Sequence, residues 1–236
     1  MHPLDNPIFQ ALTTTQAHFA RVCNSSRKFL GEVSVLAGFP EPTPENYASL
    51  AKLLGPEERV GLFLPATPAL PAGWTVLHSG ALLQMCFEDH HPTSSEPVVT
   101  PNFTSLNQAD VPEMMALAKL TKPGPFGTRT REMGDYIGIR VEGSLAAMAG
   151  ERLRLPGCTE ISAVCTHPDY LGRGYATGLI RVLIEQIIDR GEMPFLHVRQ
   201  ENVRAIQVYE RLGFRQRGSF HYCYAVLGES KINRAS

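Results

Sequence analysis

The 236-residue chain is 43% hydrophobic and 19% charged with a formal net charge of −1, the balance of an ordinary globular protein, which excludes a disordered chain. No apolar run approaches the length of a membrane span, so no membrane association is expected. Charge is unevenly divided: residues 1–97 carry five Lys and Arg against nine Asp and Glu, and residues 98–236 carry 17 against 14. The mildly basic second half suits a polyanionic ligand but lacks the concentrated basic face that nucleic acid requires.

In chain order, Ala17, Ala20 and Cys23 keep a helical spacing and predict a helix within 13–30. Thr43-Pro44-Glu45 opens a second helix, with Thr as N-cap, Pro in the first turn, and Tyr47, Leu50, Leu53 and Leu54 on one apolar face. Strands are predicted over 59–64 and over 74–87, the latter broken at Ser79-Gly80. Residues 88–97 are polar and proline-flanked and read as a linker. Adjacent His90 and His91 lie in that linker and point apart on extended chain, so no metal site is expected there or elsewhere.

Beyond the linker, a short strand over 103–106 precedes Asp110-Val111-Pro112-Glu113, a capping-box start for a helix reaching Leu120. Met114 and Met115 read as core filler. Residues 121–133, TKPGPFGTRTREM, form a Gly/Pro loop. Residues 136–141 and 145–153 read as a hairpin around Glu142-Gly143. A buried strand over 161–165 follows, then an amphipathic helix, a strand over 194–199, a helix from Asn202 to Gly213, and an alternating strand over 220–227. The fold class is mixed α/β, with an N-terminal α/β accessory domain over 1–97 and a second domain over 98–236.

The organising stretch is residues 160–190. Thr166-His167-Pro168-Asp169 forms a turn, and Gly172 and Gly174 follow. Ala176, Leu179, Ile180, Leu183, Ile184, Ile187 and Ile188 then repeat at helical spacing until Gly191 stops the helix. Two glycines let successive N–H groups point into one concavity on the first turn of a helix, an anion site with Arg173 adding charge. The spacing excludes a nucleotide-hydrolysing P-loop and a Rossmann dinucleotide site.

HPDYLGRGYA and the helix after it resemble the acyl-CoA-binding motif Q/R-x-x-G-x-G/A of the GNAT superfamily of N-acetyltransferases. Gly174 and Ala176 fill the last two positions, and Leu171 stands where the family usually has Gln or Arg. FLHVRQENVRAIQVYERLGF resembles the next family motif in the right order. The resemblance implies a GNAT-like mixed sheet with flanking helices, preceded by a smaller N-terminal domain that is possibly a degenerate second copy. It also implies acetyl-CoA as co-substrate. Gly172, Arg173, Gly174, Tyr175, Ala176 and Thr177 would hold the pyrophosphate. The strand of Val164, Cys165 and Thr166 would splay from its neighbour and align the pantetheine.

Asn202, Ala205 and Tyr209 share one helix face. By resemblance they contact the cofactor, with Tyr209 as the acid for the leaving thiolate; the alternative is a tyrosine packed in the core. Strand alternation puts Glu160, Ser162, Val164 and Thr166 on one face. Glu160 would be the base, its carboxyl raised by partial burial, or else a strand-end carboxylate paired with Arg152 or Arg154. Cys165 reads as a core residue rather than a nucleophile, and His167 and His197 read as structural. The loop carrying Arg129, Arg131, Glu132 and Asp135 resembles the family's variable substrate-facing loop; its arginines would select an acceptor with a carboxylate, or else the loop is solvated.

Five scattered cysteines without C-x-x-C, and an N-terminus unlike a signal peptide, predict reduced thiols in the cytoplasm. The expected activity is transfer of acetyl from acetyl-CoA to a primary amine of a small molecule or amino acid. Rivals are a transferase of bulkier acyl groups, similar to the glycine acyltransferase-like branch, and a CoA-binding sensor without turnover. A homodimer is compatible with either.

Overall fold

The computed structural model describes residues 2–88 and 102–228. The N-terminal half begins with helix α1 (Pro7–Thr13), and β1 (Ala20–Cys23), β2 (Ser26–Phe29) and β3 (Ala37–Gly38) form a three-stranded sheet. The helix expected within 13–30 is therefore replaced by a hairpin. Asn24 takes a left-handed conformation (φ 49°) that reverses the chain. Phe29 then buries fully beside Ile8 and Leu12 of α1, and this packing overrides a weak helical spacing. Helix α2 (Pro44–Ala51) starts as the sequence predicts, with Thr43 Oγ1 accepting the Asn46 N–H at 3.3 Å.

The next elements are β4 (Val60–Leu64), β5 (Trp74–Phe87), β6 (Thr104–Ser105) and α3 (Val111–Thr121). Strand β5 runs unbroken through Ser79-Gly80. A Cβ at Gly80 would lie 2.8 Å from the Tyr222 ring, so glycine there serves close packing rather than a break. The capping box lies three residues earlier than expected. Asn107 Oδ1 accepts the Ala109 N–H at 2.8 Å, and Asp110 Oδ2 accepts the Asn107 N–H at 2.7 Å.

Residues 121–133 hold one 3-10 turn, Thr130–Met133. The chain continues through β7 (Tyr136–Val141), β8 (Ser144–Leu155), β9 (Cys158–Thr166), α4 (Tyr175–Asp189), β10 (Met193–Arg199), α5 (Val203–Arg211) and β11 (Phe214–Leu227). Glu142 (φ 50°) and Gly143 (φ 83°) both take the left-handed conformation that a two-residue hairpin turn demands.

Eight strands form one sheet in the order β4-β11-β5-β10-β9-β8-β7-β6, antiparallel throughout except for β9 and β10. The boundary expected at residue 97 falls inside this sheet, because β5 lies between β10 and β11. Of the polar run at 88–97, only Glu88 lies among the described residues. The histidines of that run lie outside them.

Helix α4 buries Leu179, Ile180, Leu183 and Ile187 against Ile139, Ala147, Ala149 and Leu196. Each such side chain contributes roughly 1.5–3 kcal/mol on burial, far more than helix propensity supplies. Helices α1 and α3 cover the other face, around Phe195 and Met148 respectively. Among the described residues no helix is long and apolar enough to cross a membrane.

Candidate active site

Strands β9 and β10 pair only where Cys158–Glu160 meets Met193–Phe195. Past that point β9 stays paired to β8 as far as Thr166, and β10 stays paired to β5 as far as Arg199. The two central strands therefore part while each remains anchored on its outer side. A bulge accompanies the parting. Ala163 has φ 52°, and the β8–β9 register shifts between Met148 and Gly150. The bulge also breaks the expected alternation. Ile161 and Val164 both pack on the α4 side, whereas Ala163 and Cys165 pack on the α3 side, so Val164 does not share the face of Glu160.

On the α4 side of the parting lies a cavity of about 420 Å³. Every residue expected at the cofactor site lines it, from Val164, Cys165 and Thr166 through Gly172–Thr177 to Asn202, Ala205 and Tyr209. Gly172 and Gly174 both have φ 77°, and a Cβ on either would meet nothing within 4 Å. The amides of residues 172–177 donate no hydrogen bond among the described residues, and the helical ladder resumes only with Gly178 N–H to Gly174 O. Free amides at the start of a 15-residue helix form an anion cradle, and both glycines leave it open. The Arg173 guanidinium lies 5.1 Å from the centroid of the Tyr170 ring. Asn202 Oδ1 accepts the Ala205 N–H at 3.2 Å and so caps α5.

Tyr209 is half-buried, packs edge-on against Phe214 at 6.1 Å, and lines both this cavity and a second one. Burial pushes its phenol up to about 12, which keeps the proton on the hydroxyl at neutral pH. The core-packing and cavity-lining readings thus coexist. The ring is packed while the residue reaches both cavities.

The second cavity, about 330 Å³, occupies the parting itself. Residues 161–164 and 197–199 form its sides, residues 121–125 its lip, and Phe63, Tyr222 and Tyr224 close it from other strands. Arg152 and His197 contribute to its lining.

Glu160 lies behind them, and the expected raised carboxyl is overturned. Its side chain is 1% exposed, and its oxygens are fully engaged. Arg152 donates from Nε at 2.8 Å and from Nη2 at 2.6 Å, the Leu153 N–H approaches at 3.3 Å, and His197 Nδ1 lies at 2.6 Å. Burial alone would raise this carboxyl, but the Arg152 guanidinium and the hydrogen bonds from Arg152 and His197 bring it down to about 2.

The network also assigns the His197 tautomer. Gln84 Nε2 donates to Leu4 O at 3.0 Å, and its Oε1 accepts from Arg217 at 2.9 Å, which fixes the amide orientation. The same Nε2 donates to His197 Nε2 at 3.2 Å, leaving Nδ1 to carry the proton shared with Glu160. Glu160 is therefore an ionised brace rather than a free base.

The other candidates are held elsewhere. Arg129 pairs with Glu132 at 2.7 Å, Arg131 donates to Leu106 O at 3.1 Å, and Asp135 pairs with Arg154 at 3.0 Å, and none of these residues lines either cavity. His167 Nδ1 accepts the Asp169 N–H at 3.3 Å and caps a 3-10 turn. Burial pushes the Cys165 thiol up to about 11, which removes the thiolate a covalent route would need.

Strands that separate beside an open amide cradle, with a protonated tyrosine between, are the arrangement that the GNAT resemblance implies for a transferase that binds an acyl-CoA. Comparison with known proteins narrows this. The family described as FR47-like protein matches residues 136–225. N-alpha-acetyltransferase RimI of Mycobacterium tuberculosis is 34% identical over 113 residues, 45% of this chain and 70% of that protein. The [ribosomal protein bS18]-alanine N-acetyltransferase of Escherichia coli K12 is 29% identical over 119 residues, 48% of this chain and 80% of that protein. The crystal structure of a GNAT-family protein from Novosphingobium aromaticivorans DSM 12444 matches with a TM-score of 0.87 and 38% identity, covering 98% of this chain and 100% of that one. This chain belongs to the GNAT family. It is an N-acetyltransferase, and its donor is acetyl-CoA.

Proposed function

We propose that the acceptor is the primary amine of a small molecule or amino acid, acetylated by direct transfer. The observation that carries this reading is the 330 Å³ cavity between the parted strands, which shares Tyr209 and Asn202 with the cofactor cavity. A space of that size, walled on several sides, suits a small ligand. In this reading the main chain of Val164–Thr166 aligns the thioester. The amine nitrogen bonds to the acetyl carbon as the carbon–sulfur bond breaks, and Tyr209 gives its proton to the departing sulfur. Among the described residues no Asp or Glu lines the acceptor cavity, whereas Lys122, Arg152 and Arg199 do. Neighbouring cations disfavour an ammonium, so the amine reacts as the neutral form and its surplus proton leaves to solvent.

A second reading, the N-terminal amine of a protein, is favoured by the bS18-alanine acetyltransferase among the relatives. That match spans 48% of this chain.

Free-thiol release from acetyl-CoA over a panel of small amines and amino acids, alongside an alanine-led peptide, tests the proposal. A small amine should give the higher kcat/KM. Turnover of the peptide alone would reject the small-molecule acceptor, and CoA binding without turnover on any amine would favour a sensor.

A further inference from the structure

A third cavity, about 630 Å³, adjoins the acceptor cavity and shares Lys122, Gly124, Pro125, Arg199 and Tyr224 with it. Its remaining wall comes largely from the N-terminal half, including Arg59, Val76 and His78. His78 Nε2 lies 2.8 Å from the Tyr222 hydroxyl, which ties this wall to β11. The path from Tyr209 outward therefore runs past Arg152 and Lys122 toward Arg199 and Arg59.

The charge along this path is one-sided. Among the described residues no Asp or Glu lines either cavity. Arg129, Arg140, Arg154 and Arg190 each bind a carboxylate within 3.0 Å. By contrast, Arg59 and Lys122 make no ion pair or side-chain hydrogen bond among the described residues. Among the described residues Arg199 reaches only Glu201, at 4.0 Å, and otherwise lies 5.4 Å over the Tyr222 ring. Cations without counter-charges in a concave site focus a positive potential, and arginine offers a carboxylate or phosphate a paired set of donors.

We infer that the acceptor carries an anionic group at the end remote from its amine, received by Arg59, Lys122 and Arg199. This rests on the small-molecule reading and names its substrate class: amino carboxylates or amino phosphates rather than neutral amines or diamines. The same cations that draw in the anionic end repel a second ammonium, so selection works by attraction and by exclusion. The loop arginines at 129 and 131 take no part, since neither lines either cavity.

The test uses the full chain and acceptors matched in length: ω-amino carboxylates, their carboxamides and the corresponding diamines, with amino phosphates as a separate arm that separates the two anions. The best anionic acceptor should exceed its neutral counterpart in kcat/KM by about tenfold or more, a preference that weakens as salt rises. Arg59→Gln, Lys122→Gln and Arg199→Gln should each lower that ratio, and the triple variant should bring it close to one. Equal or better turnover of carboxamides or diamines, or an undiminished ratio in the triple variant, would overturn the inference. Failure of the small-molecule reading looks different: no small acceptor reacts but an alanine-led peptide does. Peptides with Glu or Lys behind the alanine then decide, preference for Glu sustaining the anionic requirement and indifference or preference for Lys ending it.

Discussion

The proposed cofactor cradle and the proposed acceptor path meet at Tyr209 but are made of different material. The cradle at 172–177 presents main-chain amides from one continuous segment, whose only strict demand on side chains is that Gly172 and Gly174 have none. The acceptor path presents side chains from β4, β5, β10, β11 and the loop after α3. Backbone donors survive most substitutions, while a wall of side chains is rewritten by single changes. One donor can thus be retained while the acceptor is altered, because the two halves of the reaction rest on separable parts of the chain.

The contrast can be broken most forcefully at Glu160, which supports the acceptor side. Glu160→Gln strands the buried Arg152 charge and should destabilise the fold by about 3–5 kcal/mol in urea titration. Because the Glu160 carboxyl is held near 2, below its ordinary value of 4.5, its contribution is present above pH 4.5 and lost as pH falls toward 2. Wild-type stability should decline across that window, and the variant should decline less. At the meeting point, Tyr209→Phe should lower kcat by about a hundredfold, with CoA affinity by calorimetry changed far less. An unaltered rate would remove Tyr209 from the chemistry.

On the cradle side, Gly174→Ala meets no neighbouring atom but forces a Cβ into the left-handed region and into the path of the phosphates. CoA affinity should fall about tenfold or more while circular dichroism stays native. The smallest effect belongs to Leu171→Gln. Leu171 is 57% exposed, and if the cradle binds through amides, CoA affinity should move by less than about threefold.

The cradle was legible in the sequence because its determinants are local. Two glycines before an apolar helix, and Asn202, Ala205 and Tyr209 at helical spacing, need no knowledge of distant partners. The acceptor side was not legible for the converse reason. The partners of Glu160 come from β8 and β10, and its Arg152 pairing inverts the shift that burial alone would cause. The bulge at Ala163 carries no glycine or proline to mark it, so strand alternation was carried one residue too far. The hairpin at Ala20–Phe29 was masked by small residues at an accidental helical spacing, and only the burial of Phe29 decides it.

Strand β5 also sets the order in which the protein can assemble. It leaves the ribosome well before β10 and β11, yet Leu82 must meet both Arg199 and Phe220. Until those strands are made, both of its edges remain exposed to the pairing that leads to aggregation. Such distant pairings close large loops, which slows folding. Synthesis of the last strand, rather than of any N-terminal unit, is therefore the event that completes the sheet.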